Sequence, residues 1–102
     1  MPIYMEISDS SQKNKKLKAS FYKIENGQRK YLKVVNFGLK GGQTYLDHSD
    51  KDKRKQYIAR HRKNENWNNY MSAGSLSRYL LWGDSSSLNT NIKKFKSKFK
   101  LK

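Results

Sequence analysis

A chain of 102 residues has room for one domain. With 23 Lys and Arg against eight Asp and Glu it carries a formal charge of +15, which repels itself strongly unless counter-ions or a polyanion neutralise it. Cys is absent, so a disulfide framework and a thiolate metal site are excluded.

Only 34% of the residues are hydrophobic, which together with the charge leans toward disorder, but two Trp, seven Tyr and four Phe can bury enough surface for a small aromatic core. A basic leader followed by an apolar run is missing, and no window approaches a membrane span. The expectation is a soluble protein, not secreted and not on a membrane. Its charge is laid out in blocks: residues 1–10 carry −2, 11–40 carry +8, 41–50 carry −2, 51–63 carry +6, 64–87 carry −1 and 88–102 carry +6.

The first basic block reads as strand. Leu17 to Ile24 and Tyr31 to Phe37 are rich in aromatic and β-branched residues, and Asn26-Gly27 between them is a strong signal for a hairpin turn, because both residues tolerate positive φ. Ile3 to Ile7 is a third candidate strand, and lysines between the apolar positions would blunt the sheet edges. Gly38, Gly41 and Gly42 break the pattern, so residues 37–42 are expected to form a loop that aims Tyr45 and His48 at the core.

Ser49 and Asp52 stand at capping-box spacing, which predicts a helix from about residue 50 to 64 with Arg54, Tyr57, Ile58, His61 and Glu65 on its inner face. Lys51, Lys53, Lys55, Arg60, Arg62 and Lys63 point elsewhere. A loop anchored by Trp67 and Tyr70 leads to a short helix over residues 75–82, and a last helix begins near Ser87 and frays beyond Lys98. The fold class is α+β: an N-terminal hairpin or three-stranded antiparallel sheet packed on two to three short helices. The domain spans 1–92 and a Lys-rich extension covers 93–102. Phe21, Val34, Phe37, Tyr57, Ile58, Trp67, Leu80, Leu81 and Trp82 are the expected core.

The string Phe37-Gly38, Gly41, Tyr45, His48, Asp50, Arg54-Lys55, Tyr57, Arg60-His61, Glu65, Trp67, Ala73-Gly74, Ser77-Arg78 and Leu80-Leu81-Trp82 resembles a family of small basic proteins of unknown function encoded by giant double-stranded DNA viruses. The resemblance covers residues 37–82. It implies a viral origin, in the virion or in a viral factory of the host cytoplasm or nucleus, and it implies no activity. Gln43-Thr44-Tyr45-Leu46 lacks an Asp common in that family, and Ser75-Leu76 stands where Phe-Trp is frequent, so neither position is assigned chemistry.

His48, Asp50, His61 and Glu65 raise the alternative of a metal-dependent nuclease, since His61 and Glu65 are i, i+4 on one helical face. Their structural uses are commoner: Asp50 as a helix cap, Glu65 and Arg54 as ties to neighbouring loops, the His rings bonded to backbone. No enzyme, cofactor or metal is expected. The Gly-rich stretch 37–42 has neither a P-loop ending nor the dinucleotide spacing.

The cations remain. Residues 88–102 hold six Lys and no acid, and over the chain there are 18 Lys to five Arg. Lys meets phosphate as a point charge whereas Arg forks onto guanine, so the composition favours the nucleic-acid backbone over base reading. The candidate contacts are Lys51, Lys53, Lys55, Arg60, Arg62, Lys63, Lys93, Lys94, Lys96, Lys98 and Lys100, with Lys53, Arg60 and Lys63 forming a rigid track and 93–102 an adaptable tail whose removal from residue 96 should leave the domain folded. Tyr22, Tyr31 and Phe99 are candidates for stacking on single-stranded bases, burial being the commoner use. The expected function is low-specificity nucleic-acid binding, DNA before RNA, in viral genome packaging or organisation. The alternative is a minor virion component contacting acidic surfaces of capsid or other virion proteins.

Overall fold

A computed structural model describes residues 2–102. Three antiparallel strands, β1 (Tyr4–Asp9), β2 (Lys15–Glu25) and β3 (Gln28–Leu39), lie in the order β1-β2-β3. Glu25 pairs with Gln28 across a two-residue turn in which Asn26 and Gly27 take φ of 54° and 76°, the primed geometry that matches strand twist. The Ile3 to Ile7 strand thus forms, shifted to end at Asp9.

Period-2 alternation sends Met5, Ala19, Phe21 and Phe37 into the core, with Ile7, Leu17 and Val35 packed against them. Val34 was expected inside and is 48% exposed. It pairs with Ser20 on the open face, while its neighbour Val35 faces Ala19 and the core. The strand also runs through the expected loop start at Phe37. Gly38 sits within β3 at φ 80°, where a Cβ would meet Leu81 Cδ1 at 2.9 Å, so glycine here ends the strand against the core instead of breaking it.

Four helices follow: α1 (Tyr45–His48), α2 (Lys51–His61), α3 (Ala73–Leu76) and α4 (Leu88–Phe99), with a π-helical turn over Ser77–Leu81 continuing α3. The first was not foreseen. Its capping box has the Thr44 backbone N–H donating to Asp47 Oδ2 at 2.7 Å, a bond that holds the Asp47 carboxyl below the usual carboxylate range. Ser49 closes α1 in the left-handed region, so the cap of α2 is Asp50 and not Ser49: Asp50 Oδ1 accepts from the N–H groups of Asp52 at 3.0 Å and Lys53 at 3.2 Å.

The last helix starts where expected, with Ser87 accepting from the Thr90 N–H. It does not fray. Phe95 is 1% exposed, Lys100 turns left-handed at φ 56°, Leu101 drops back into the core, and the Lys102 N–H donates to the Ile3 carbonyl at 2.8 Å. Residues 93–102 are therefore packed on the same core as the sheet, and cutting from residue 96 removes a core residue and not only charge. Of the expected core, Phe21, Phe37, Tyr57, Leu80 and Leu81 are buried while Ile58, Trp67 and Trp82 are half-buried. Among the described residues no helix is long and apolar enough to cross a membrane.

Candidate nucleic-acid interface

Helix α2 is docked by two side chains. Tyr57 stacks on Trp82 with centroids 4.5 Å apart and planes 5° from parallel, and Arg54 Nε donates to the carbonyls of Trp82 at 3.2 Å and Gly83 at 2.9 Å. The π-helical turn supplies that arrangement, since the Trp82 N–H bonds back five residues to Ser77 O and the chain leaves the helix with two carbonyls facing α2. Burial pushes the Tyr57 hydroxyl up to about 12, so it is a neutral packing group.

With Tyr57 turned inward, the cations of α2 divide between its flanks. On one flank, Lys53 and Arg60 line a cleft of about 660 Å3 together with Gln43, His48, Gln56 and Trp82. Lys51, Lys55 and Arg62, at i, i+4 and i+11, share the other flank and are exposed, and Lys63 is exposed beyond the helix end. On α4 Lys93, Lys94 and Lys98 are exposed and Lys96 is half-buried; Lys100 is exposed just past its end. Lys98 lies over the Tyr79 ring at 5.5 Å, which holds its stem against the surface.

The two basic blocks meet at one residue. Asp84, with 70% of its side chain exposed, takes Arg54 Nη2 of α2 at 2.8 Å and stands 4.0 Å from Lys94 Nζ of α4. Three of the five arginines are occupied within the protein: Arg29 pairs with Glu6 at 2.7 Å, Arg54 holds the 82–84 loop, and Arg78 Nη1 donates to the Trp82 carbonyl at 3.0 Å. Arg60 and Arg62 remain exposed among the lysines. A surface so composed offers point charges to phosphate oxygens and little bidentate capacity for base edges.

The residues singled out for metal chemistry are not brought together. His48 and His61 stand at opposite ends of a four-ring pile in which His48 is 5.4 Å from Trp82, Trp82 4.5 Å from Tyr57, and Tyr57 4.3 Å from His61. Each has a local use: His48 Nδ1 accepts from the Asp50 N–H at 2.9 Å, and His61 Nδ1 lies 3.4 Å from Glu65, whose other oxygen accepts from Trp67 Nε1 at 2.8 Å. Among the described residues no three His, Asp or Glu side chains cluster at metal-binding range.

On the open face of the sheet Tyr4 stacks on Tyr22 at 5.3 Å, Tyr31 lies 5.7 Å from Tyr22, and the Arg29 guanidinium covers Tyr22 at 4.5 Å. Tyr22, a candidate for base stacking, is thereby 8% exposed and closed to a base, whereas Tyr31 is 56% exposed. Phe99 is half-buried against Tyr70, Tyr79 and Phe95.

A model for a family of unknown function, DUF5754, matches residues 5–61, which take in nearly all of the sheet, α1 and α2. No curated protein and no solved structure matches the chain.

Proposed function

The chain belongs to this family, whose description assigns no activity, and we propose that it is a low-specificity nucleic-acid-binding protein that grips the phosphate backbone, double-stranded DNA before RNA. The observation that carries the proposal is the meeting of α2 and α4 at Asp84, which brings together Arg54 and Lys94, 40 residues apart in sequence, from the two basic blocks. Lysines dominate these blocks, and Arg29 and Arg54 are paired with carboxylates within the protein, which supports contact with phosphate over reading of bases. The viral setting, in genome packaging or organisation within a virion or viral factory, rests on the resemblance of residues 37–82. No catalytic step is part of the proposal.

Binding to duplexes of unrelated sequence across a salt series tests it. If about six to eight cations meet phosphates at once, log K falls with log salt at a slope of roughly −5 to −7, with little difference between scrambled sequences. A slope near zero overturns the reading. A second reading, a minor virion component that contacts acidic capsid surfaces, draws on Ile24, Tyr31 and Val34, which are 42%, 56% and 48% exposed on the open sheet face. It moves ahead if the salt slope vanishes.

A further inference from the structure

Where α4 passes the Gly83–Asp84 loop, a cavity of about 200 Å3 is lined by Arg78, Asp84, Asn91, Lys94 and Lys98 together with the aromatic residues Tyr79 and Phe95. Three cations face it against one carboxylate, Asp84, which Arg54 engages at 2.8 Å and Lys94 approaches at 4.0 Å. Asn91 offers little, because its Nδ2 donates to the carbonyls of Leu80 and Ser85 and its Oδ1 accepts from the Ser85 N–H. Cations are therefore in excess at this cavity.

Arg78 is the most telling of them. Its guanidinium lies 5.2 Å from the centroid of Trp67 and 5.1 Å from that of Tyr79, and among the described residues no carboxylate pairs with it. Its Nε is buried with no hydrogen-bond partner, a costly state for a charged donor. Burial, and next the neighbouring Arg54, lower its pKa, which is the mark of a charge the chain leaves under-balanced. Charge counting along the sequence passes over this residue, since it stands alone in the near-neutral block 64–87.

We infer that this cavity seats one phosphate group of a nucleic-acid backbone, held between Arg78 and the two lysines of α4. The inference rests on the proposed function and gives it a fixed point: one phosphate enters the junction of the two basic helices while its neighbours run along the exposed lysines. The volume is several times the roughly 30 Å3 that a water occupies, enough for a tetrahedral phosphate and its ester oxygens. An arginine with a planar donor fork beside two ammonium groups is the set that phosphate recognition uses.

The test follows the Arg78 Nε–Hε resonance by nitrogen-15 NMR while the full chain is titrated first with inorganic phosphate and then with a short DNA duplex. Saturable shifts with both probes are expected. In a Lys94→Gln, Lys98→Gln variant, which alters only exposed lysines, phosphate saturation should weaken roughly tenfold and the duplex salt slope should flatten by about 2. Duplex binding that leaves the resonance still overturns the seat and spares the proposed function. A phosphate shift in a protein that ignores duplex keeps the anion seat and overturns its backbone occupant along with that function. Phosphate shifts of equal midpoint in parent and variant overturn the assignment of Lys94 and Lys98.

Discussion

The two lysine-rich helices are close in length and charge and are held in opposite ways. Helix α2 has five cations and one acid in 11 residues, α4 four cations and no acid in 12. The seam of α4 is sewn into the core by Phe95, with Leu88, Ile92 and Phe99 beside it and Leu101 folded back behind. Helix α2 buries one side chain, Tyr57, and is held further by the Arg54 guanidinium and by His61, 3.4 Å from Glu65. A cationic face can thus be displayed by an element the domain cannot lose or by one docked through a ring and a polar clamp. The difference predicts that α2 can detach while the domain persists.

Removing the ring from each helix breaks or sharpens that contrast most directly. Phe95→Ala should cost on the order of 3–5 kcal/mol and lower the melting temperature of the whole molecule. Tyr57→Ala should instead act locally, stripping hydrogen-exchange protection from the amides of α2 while those of β2 and α4 keep theirs. Equal loss of protection in α2 and α4 of the Tyr57 variant would mean that the two helices are one cooperative unit.

A smaller effect is expected at the clamp. Arg54→Gln removes charge-assisted bonds to two carbonyls and to Asp84, and should destabilise the docking of α2 by roughly 1–3 kcal/mol, read as faster exchange in α2 with α4 unchanged. If α2 exchange does not change, the helix is held without this clamp.

The smallest effect concerns acid. Backbone donation by the Lys53 N–H holds the Asp50 carboxyl below its ordinary range, and a group whose folded value is depressed stabilises above its unfolded value, about 3.9, and loses that contribution as pH falls through the folded one. Asp50→Asn keeps an acceptor at the cap and removes the titration. Parent and variant should therefore melt alike near pH 6, and below about pH 4 the parent should lose stability faster. Parallel curves down to pH 2 would show that the cap does not couple to acid unfolding.

Legibility in the sequence followed the range of the interaction. The Asn26-Gly27 turn and the Ser87 cap are local devices and could be read directly. The outward face of Val34 is also legible, because Phe37 lies three residues away and an odd separation along a regular strand puts two residues on opposite faces. Helix α1 also carried a readable signal, Thr44 and Asp47 at capping-box spacing, hidden by the glycines before it. Other features had no local trace. Nothing near Leu101 announces that Lys100 will turn left-handed and return the chain to Ile3. The meeting of the two basic blocks depends on Arg54 finding carbonyls 28 and 29 residues away, a consequence of packing and not of pattern.

Asn91 has one more consequence, for the order in which the molecule assembles. A hairpin closed by a two-residue turn pairs neighbours and forms early, because little chain entropy is lost in bringing them together. The 80–85 segment takes its shape from three hydrogen bonds to a side chain on α4, six to eleven residues further along, so it stays without a template until that helix has docked. Asp84 and the cavity beside it therefore take shape only once that helix is in place. A chain caught partway carries all of its lysines but not the surface that organises them, and would meet a polyanion only as a diffuse cloud of charge.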